Sequence, residues 1–579
     1  MKPLDWLIVF ALNGGVMAWG FWIARGTKTS QDWFLGRRSL AWWAIGLSMF
    51  ATNVDNADLV SLTGTTYKEG LHIIMVHTLG SLLGASFAAF FVVPAMARAG
   101  QFTNAEYLET RFGPAARVLS ALIQLQYRSS MLGLMIWSVY LLLTSFLGLG
   151  SSSAWMLIVV IIGLAAIYTS LGGLKSVVMT DAFQGLIMFI GMGVIFSAVW
   201  NAVGGWSQAI EILKTLPLNE TQPASDLARM GRYYGDDGLT SPYVIAIGWI
   251  IIAGGYWSVN HSQTMRLAGA RSIWDMKMAA LFGAVISMPI MIGCATMGLF
   301  GRALFPEFEA PDRLYPHMAD LYLGVGLKGL VVAAIFAAAI STFDSMGSSL
   351  SALFTRDIYA RLIAKNREDA HYVKVSRWAT IVILALGFAY IPFISSKDTM
   401  LKAFLTLIPV FVTPLFTVYL VGIFTRAHRN AGIAGILTGA VYGLVSLYDR
   451  EITNVDWLAS WFTSRWAALI WAMVFSGLGA LAATMIYGRR DENVAQASRL
   501  HEGVNCQQVP PNDPDPDPQS GSPMQAGSPR HDWLQSSSAA LTAIPEHPFK
   551  SDPPPWLRPE YICAVLIVLT TAMLLKFFW

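Results

Sequence analysis

The sequence predicts an all-α polytopic membrane protein. Apolar residues make up 55% of the 579-residue chain and charged residues only 13%, and the mean hydropathy is +0.51. A soluble domain carries about 25% charged residues, so most of this chain is suited to lipid. A span that crosses about 30 Å of hydrocarbon needs about 20 apolar residues. Fourteen such runs are present, at 6–24, 40–65, 75–97, 115–148, 154–170, 178–204, 242–260, 275–301, 325–355, 373–395, 400–424, 430–448, 464–487 and 558–578.

Charge and cysteine content exclude several functional classes. The net charge of +3 is close to neutral for this length, so no nucleic-acid partner is predicted. Cys294, Cys506 and Cys563 have neither pairing nor zinc-ligand spacing. The first apolar run lacks a small-residue cleavage site, so it is predicted to be a retained helix and not a signal peptide. No segment has the composition of a soluble catalytic domain, so the chain is not predicted to be an enzyme.

The positive charges predict the orientation of the spans. Lys and Arg cluster after the first, ninth and thirteenth runs, at Arg25, Lys28, Arg37, Arg38, Arg356, Arg361, Lys365, Arg367, Lys374, Arg377, Arg489 and Arg490. These loops share one side if fourteen spans alternate, and such an excess of positive charge marks the cytoplasm. The sequence therefore predicts a multi-pass protein of the plasma (cell inner) membrane with both termini outside.

Two segments lie between the predicted spans. Residues 205–241 form a polar outside loop that contains Glu220 and Asp226. Residues 491–556 are rich in Pro, Asp, Ser and Gly. Because such a composition cannot bury a core, this segment is predicted to be a disordered cytoplasmic linker.

Two predicted spans are broken by polar or glycine residues. The second contains Asn53, Asp55, Asn56 and Asp58, side chains that favour turns and caps, so its helix is expected to unwind at its midpoint. The seventh ends in a similar interruption at 254–261. Unwound backbone frees carbonyl oxygens, and such breaks are typical of binding sites at the membrane midplane.

The ninth span carries a polar stripe. Ser341, Asp344, Ser345 and Ser348 recur at i, i+3, i+4 and i+7, which places them on one helix face. A carboxylate with stacked hydroxyls at membrane depth is costly unless it meets a cation, a partner or water. Oxygen-rich sites suit hard cations such as sodium, so the stripe indicates a cation site and, with the breaks, transport.

Three segments resemble the sodium/solute symporter family, which includes sodium-coupled sugar, proline and sialic acid transporters. DWFLGRRSLAWW at 32–43, followed by 51–53, is similar to the family's entry to its first core helix. GGLKSVVMTDAFQG at 172–185 resembles its most distinctive signature, and 341–342 with 354–359 resembles its sodium-site helix. With fourteen spans, the resemblance covers nearly the whole chain apart from the linker.

The resemblance implies an inverted-repeat core of five plus five helices, of the leucine-transporter type, with extra helices at both ends. The implied domains are an N-terminal extra helix and cytoplasmic loop (1–39), a first core repeat (40–204), an extracellular loop (205–241), a second core repeat (242–424), two extra helices (425–490), the linker (491–556) and a C-terminal transmembrane helix (557–579).

The resemblance also implies where sodium binds. The main site would consist of the carbonyls of Ala51, Val54 and Ala338 and the hydroxyls of Ser341 and Thr342. The residues agree with this, because unwound carbonyls of one span meeting hydroxyls of another give neutral oxygens, which favour weak, reversible binding.

Some relatives hold a second sodium beside the signature aspartate. The corresponding residues here are Asp181, Ser341, Asp344 and Ser345. Asp344 stands where a hydroxyl is more usual, and this second carboxylate would either strengthen cation binding or carry a proton instead. One or two sodium ions are therefore expected.

Polar residues inside the spans, together with the resemblance, predict the solute-binding residues Asn53, Asp55, Asp58, His77, Arg128, Asn260, His261 and Thr406. Asp55 and Asp58 either cap the two half-helices or bind the solute. His77 is either a hydrogen-bonded structural residue or a solute contact. Arg128 either pairs with Asp55 or Asp58, or binds a solute carboxylate bidentately, as a basic residue near this position does in an acid-sugar relative.

The predicted function is sodium-coupled symport that imports a small polar organic solute, such as a sugar, acid sugar, amino acid or carboxylate, by alternating access. The glutamine found near Thr406 in sugar transporters is absent, and the charged residues favour an acidic or zwitterionic solute. The alternatives are proton coupling through Asp55, Asp58 or Asp344, and a sensor that binds the solute without transporting it. An intramembrane enzyme ranks last, since no metal motif or Ser/His pair is found.

Overall fold

The computed structural model describes residues 1–25, 29–98, 103–218, 222–231, 242–396, 400–452, 462, 464–489, 545, 546, 548 and 553–577. Every regular element within these ranges is a helix. The predicted all-α class is confirmed.

Twenty-one α-helices make up most of the described chain. In chain order they are α1 Pro3–Ala24, α2 Ser30–Leu35, α3 Trp42–Asn53, α4 Asn56–Glu69, α5 Ser81–Phe87, α6 Val93–Arg98, α7 Asn104–Phe112, α8 Pro114–Ser145, α9 Ser151–Val203, α10 Gly205–Thr215, α11 Pro242–Val259, α12 His261–Ala268, α13 Ile273–Leu304, α14 Leu314–Tyr322, α15 Leu327–Leu353, α16 Asp369–Leu386, α17 Ile391–Ser395, α18 Met400–Phe424, α19 Ala431–Ile452, α20 Arg465–Tyr487 and α21 Pro559–Phe577. Wider π-helical turns at Val76–Gly80, Ala88–Val92 and Phe354–Ile363 extend α5, α6 and α15.

Ten described helices are long and apolar enough to cross a membrane, or eleven if the bent pair α11 and α12 forms one span. The predicted count of fourteen therefore stays a prediction. Part of the difference lies in α9, whose 53 residues contain a break: Gly173, at φ 71°, separates two helical stretches and lies between the predicted runs 154–170 and 178–204. The halves α3 and α4 are each too short to count alone.

Both predicted breaks are present. Val54 and Asp55 adopt extended backbone between α3 and α4. Asn260 is extended between α11 and α12, which are bent by 52° relative to each other. Its side chain accepts a hydrogen bond from the Ser262 amide and so caps α12.

Helix α15 is the central element of the core. It packs against α9 and α1, while α3 packs against α13 and α9. In its most apolar 18-residue stretch, 94% is buried inside the protein. The polar stripe is tolerated because it contacts protein and not lipid. The small residues Ala337, Ala338 and Ala339 let the neighbouring backbones approach closely.

The two predicted inter-span segments are only partly described. Within 205–241 the chain forms α10 and a short 3₁₀ turn at Ala224–Ala228, and 219–221 and 232–241 lie outside the described residues. Most of 491–556 also lies outside them. Near the end of that segment, however, the carbonyls of Pro545 and Glu546 accept hydrogen bonds from the first amides of α13, so these residues are held on the helix bundle.

Candidate functional site

The predicted main sodium residues meet where α15 crosses the break after α3. Ser341 Oγ lies 3.1 Å from the Ala51 carbonyl, and Thr342 Oγ1 donates to the Ala338 carbonyl at 2.9 Å. All four residues, and Val54 beside them, are fully buried. The structure thus brings together neutral carbonyl and hydroxyl oxygens from two elements, a donor set that suits a hard monovalent cation.

A buried ion pair lies beside these oxygens. Arg266, on α12, donates from Nη2 to Asp181 Oδ2 at 2.7 Å and from Nε to Ser48 Oγ at 2.7 Å. The same guanidinium also contacts Ser345 Oγ. Asp181 in turn accepts from Ser341 Oγ at 2.8 Å. The guanidinium therefore lies between two residues predicted to hold a second sodium.

Asp344 contacts the part of α9 before the break at Gly173, whereas Asp181 lies in the part after it. Asp344 Oδ1 accepts a hydrogen bond from Thr169 Oγ1 at 2.6 Å, and its Oδ2 is buried without a hydrogen-bond partner. Asp344 forms no ion pair within 4 Å among the residues the model describes. Of the four residues predicted for the second site, the structure joins Asp181, Ser341 and Ser345 by hydrogen bonds and directs the Asp344 carboxylate to Thr169 instead.

A cavity lies beside the break of the second span. It leaves about 100 Å³ for the centres of water molecules, which is room for several waters or one small solute. The predicted residues among its walls are Asn53, Asp55, Asp58, His77 and Arg128. The break, α8 and α11 thus converge on one polar space.

Aromatic and apolar side chains complete the walls of the cavity, among them Trp249, Tyr256, Trp257, Met131, Met135 and Met400. Tyr256 OH donates to the Thr52 carbonyl at 3.0 Å and accepts from Gln263 Nε2 at 3.1 Å. Tyr256 therefore links α11 and α12 to the end of α3, next to the predicted sodium residues.

Arg128 is the basic group of this cavity. It is 4% exposed, and its guanidinium lies 5.7 Å from the ring centroid of Tyr256. The Nε of Arg128 has no hydrogen-bond partner, and no carboxylate of the described residues lies within 4 Å of its guanidinium. The charge is thus held against aromatic faces with donor capacity left over.

Asp55 and Asp58 satisfy each other's backbone. The Asp58 amide donates to Asp55 Oδ1 at 2.9 Å and the Asp55 amide donates to Asp58 Oδ2 at 3.3 Å, a reciprocal capping box at the start of α4. Both residues also line the cavity. The two alternatives left open by the sequence, capping and solute contact, are therefore compatible.

Asn260 and His261 are not among the described residues that line this cavity. Asn260 caps α12, and His261 Nδ1 lies 3.3 Å from Thr264 Oγ1. Each also has one buried nitrogen without a partner. Thr406 lies on α18, and its side chain is outside the described part of the chain.

Four groups of the site were not predicted from the sequence: Arg266, Ser48, Thr169 and the hydroxyl of Tyr256. Arg266 carried a usable signal, since an arginine directly after a broken apolar span needs a buried partner. Ser48 and Thr169 carried none, because single hydroxyls are common in membrane helices and only packing decides which of them face a charge.

An extramembrane loop holds the edge of the cavity. Asp312 Oδ2 accepts a hydrogen bond from the Met400 amide at 3.0 Å, at the start of α18. Burial raises the pKa of the Asp312 carboxyl to about 6. Since Met400 also lines the cavity, this loop carboxyl and the cavity wall are directly connected.

Comparisons with known proteins match this architecture. The model of the sodium:solute symporter family matches residues 33–441. The sodium/sialic acid symporter NanT of Aliivibrio fischeri is 26% identical over 466 residues, which cover 78% of this chain and 89% of the relative. The uncharacterized symporter YidK of Escherichia coli is 29% identical over 431 residues, covering 72% and 73% of the two chains.

Sugar symporters and a solved structure match as well. Sodium/glucose cotransporter 4 of Danio rerio is 28% identical over 479 residues, covering 77% of this chain and 72% of the relative. The substrate-bound outward-open structure of a Na⁺-coupled sialic acid symporter superposes with a TM-score of 0.71 at 21% identity, covering 85% of this chain and 99% of the other. At that identity the likeness establishes the fold, which supports the expected leucine-transporter-type core.

Proposed function

This chain belongs to the sodium:solute symporter family, and we propose that it imports a small polar solute bearing a carboxylate together with sodium. Transport is by alternating access across the plasma membrane, with the loops rich in Lys and Arg on the cytoplasmic side. A membrane potential of about 100 mV contributes about 2.3 kcal/mol for each sodium ion that enters, which is part of the driving force.

The free donor capacity of Arg128 carries the solute assignment. Asp55 and Asp58 each use one carboxylate oxygen to cap α4. Arg128 Nε, by contrast, has no hydrogen-bond partner. A guanidinium of this kind binds a carboxylate through two parallel hydrogen bonds. The remaining polar wall, Asn53, His77 and the Asp oxygens, suits the hydroxyls of an acid sugar. The relative NanT, a sodium/sialic acid symporter, takes such an acid sugar.

Sodium binding organises the cavity in this proposal. An ion held by the carbonyls of Ala51, Val54 and Ala338 and by the hydroxyls of Ser341 and Thr342 fixes the break between α3 and α4. That break presents Asn53 and Asp55 to the solute, so bound sodium raises the affinity for the solute and bound solute raises the affinity for sodium to the same degree.

We infer that one sodium accompanies each solute. The guanidinium of Arg266 already supplies a positive charge between Asp181 and Ser345. A second sodium there would have to displace it, since like charges at contact distance repel strongly in a buried site. A charge-to-solute flux ratio of one, corrected for the charge of the solute, is expected. A ratio of two would return Asp181, Asp344 and Ser345 to a second sodium site.

Proton coupling is the runner-up, and one observation favours it. The Asp344 carboxyl has a buried oxygen without a partner and no cation within 4 Å among the described residues. Uptake into proteoliposomes driven by a sodium gradient at equal pH, or by a pH gradient without sodium, separates the two forms of coupling. Uptake that follows the pH gradient alone, or that is unaffected by Ser341→Ala with Thr342→Ala, contradicts the sodium assignment.

The solute is tested by counterflow with sialic acid, glucuronate, glucose and proline. Arg128→Gln is expected to abolish counterflow of the acid sugars, and Arg128→Lys to raise the KM more than it lowers the maximal rate, because a point charge replaces a bidentate fork. Arg229→Gln, which changes an arginine with a 55% exposed side chain outside the cavity, is the matched control. Full counterflow of a carboxylate solute by Arg128→Gln would overturn the assignment.

A further inference from the structure

A second groove lies on the opposite face of α8 from the solute cavity. Arg128, Met131 and Met135 of α8 face the cavity. Leu122, Leu125, Gln126 and Ser129, spaced i, i+3, i+4 and i+7, face the groove instead. One helix thus separates two sites, and the groove uses none of the residues assigned to transport above.

The other wall of the groove is one continuous stripe of α16. Its residues recur at i, i+3, i+4 and i+7 over the whole helix, at His371, Lys374, Val375, Trp378, Ala379, Val382, Ile383 and Leu386. Phe354 and Tyr390 complete the lining. The groove leaves about 630 Å³ for the centres of water molecules, several times the space of the solute cavity, and most of its wall surface is apolar.

The groove opens to the lipid. Trp378 is 63% exposed and Val382 is 55% exposed on its rim, on a helix that is long and apolar enough to cross the membrane. From Lys374 to Leu386 the groove runs about 18 Å at 1.5 Å per residue, close to the roughly 15 Å of one leaflet. An acyl chain therefore fits it in length as well as in polarity.

The charge at one end selects the headgroup. Lys374 is exposed and forms no ion pair within 4 Å among the described residues. His371 lies one turn away, with Nε2 3.1 Å from Tyr359 OH. Both lie on the side that the positive charges mark as cytoplasmic. Basic residues at the interface end of an inter-helical groove attract anionic lipid headgroups.

We propose that this groove, defined by the α8 and α16 stripes, is a binding site for an anionic phospholipid. One acyl chain lies between α8 and α16 along Trp378 and Val382, and the headgroup phosphate lies at Lys374. The ligand is a component of the surrounding leaflet and is distinct from the transported solute.

Native mass spectrometry of the full-length protein tests the proposal. Phosphatidylglycerol and phosphatidylcholine with identical acyl chains are titrated separately, without sodium or solute, so that the result does not depend on transport. Phosphatidylglycerol is expected to bind more tightly. Lys374→Glu is expected to weaken phosphatidylglycerol by at least about fivefold, the factor that corresponds to one interfacial lysine, and to leave phosphatidylcholine unchanged.

Two further variants separate the site from general effects. Lys365→Glu makes the same charge change at an exposed residue on the same predicted side but outside the groove, and is expected to leave both affinities unchanged. Val382→Trp adds bulk at an exposed wall position, so it spares the core, and is expected to weaken both lipids. Equal effects of Lys374→Glu and Lys365→Glu, or unchanged binding in Val382→Trp, would overturn the proposal.

Discussion

Separating Asp181 from Arg266 is expected to destabilise the protein more than any single ion-pair change at its surface. Their side chains are 0% and 2% exposed and their charged atoms are 2.7 Å apart. Asp181→Asn leaves the Arg266 guanidinium buried without a negative partner. Arg266→Gln leaves the Asp181 carboxylate buried without a positive partner. Each change is expected to cost about 3–5 kcal/mol of unfolding free energy, the usual cost of removing one partner of a buried pair.

The double variant Asp181→Asn with Arg266→Gln should cost no more than the larger single change. Amide groups at both positions are neutral and still reach the hydroxyls of Ser48 and Ser341. The two changes are therefore far from additive, with a coupling energy of at least about 3 kcal/mol, at the upper end of the values that double-mutant cycles give for neighbours.

The assay is unfolding by SDS titration from mixed micelles in choline buffer, so that no sodium replaces the lost guanidinium. The control cycle uses the ion pair of Asp320 and Lys328. Their side chains are 58% and 23% exposed, and Lys328 Nζ lies 2.6 Å from Asp320 Oδ1. An exposed pair contributes about 1 kcal/mol or less. Additive single changes at Asp181 and Arg266, or equal coupling in the two cycles, would refute the assignment of a buried, mutually required pair.

The remaining predictions concern Asp312 in an extramembrane loop and Asp344 inside the helix bundle. Burial raises the pKa of Asp312 from 3.8 to about 6, so the stability contributed by its protonated form is complete below pH 3.8 and is lost as the pH rises through 6. The unfolding free energy of the native protein, measured by the same titration, is expected to fall by about 1.5 kcal/mol between pH 5 and 7.5. Asp312→Asn is expected to remove this pH dependence. Thr169→Val removes the hydroxyl that donates to Asp344 and is expected to lower the unfolding free energy by about 1–3 kcal/mol. Thr169→Ser keeps a hydroxyl and is expected to lower it by less than about 1 kcal/mol. Equal stability of the two variants would show that the hydrogen bond contributes nothing.

Much of the candidate site could be read from sequence because its signals are local. Asn53, Asp55 and Asp58 interrupt an apolar run, and that interruption predicts a break whatever packs around it. The stripe of Ser341, Asp344 and Ser345 follows from helical spacing alone. The hydroxyl of Ser341 lies against the carbonyl of Ala51, and the hydroxyl of Thr342 donates to the carbonyl of Ala338. Sodium binding by these groups stays a prediction.

The number of spans shows where local signals end. Hydropathy predicts the gap between the runs 154–170 and 178–204, but it does not show the positive φ at Gly173 that breaks α9 within this gap. Likewise, Asn260 and His261 are polar at a predicted break but face α12 and not the cavity.

The residues of the main sodium site stay a prediction that the family resemblance implies. The sequence by itself determined the helical class, the membrane environment and the two breaks. Each depends on properties of consecutive residues: apolar length, spacing along one helix and the preference of Asn and Asp for helix ends. The tertiary structure decided which partner each buried charge receives. Asp181 meets Arg266 from 85 residues away and Asp344 meets Thr169 from 175 residues away. Such pairings depend on the packing of α9, α12 and α15, and no local pattern records how those helices cross.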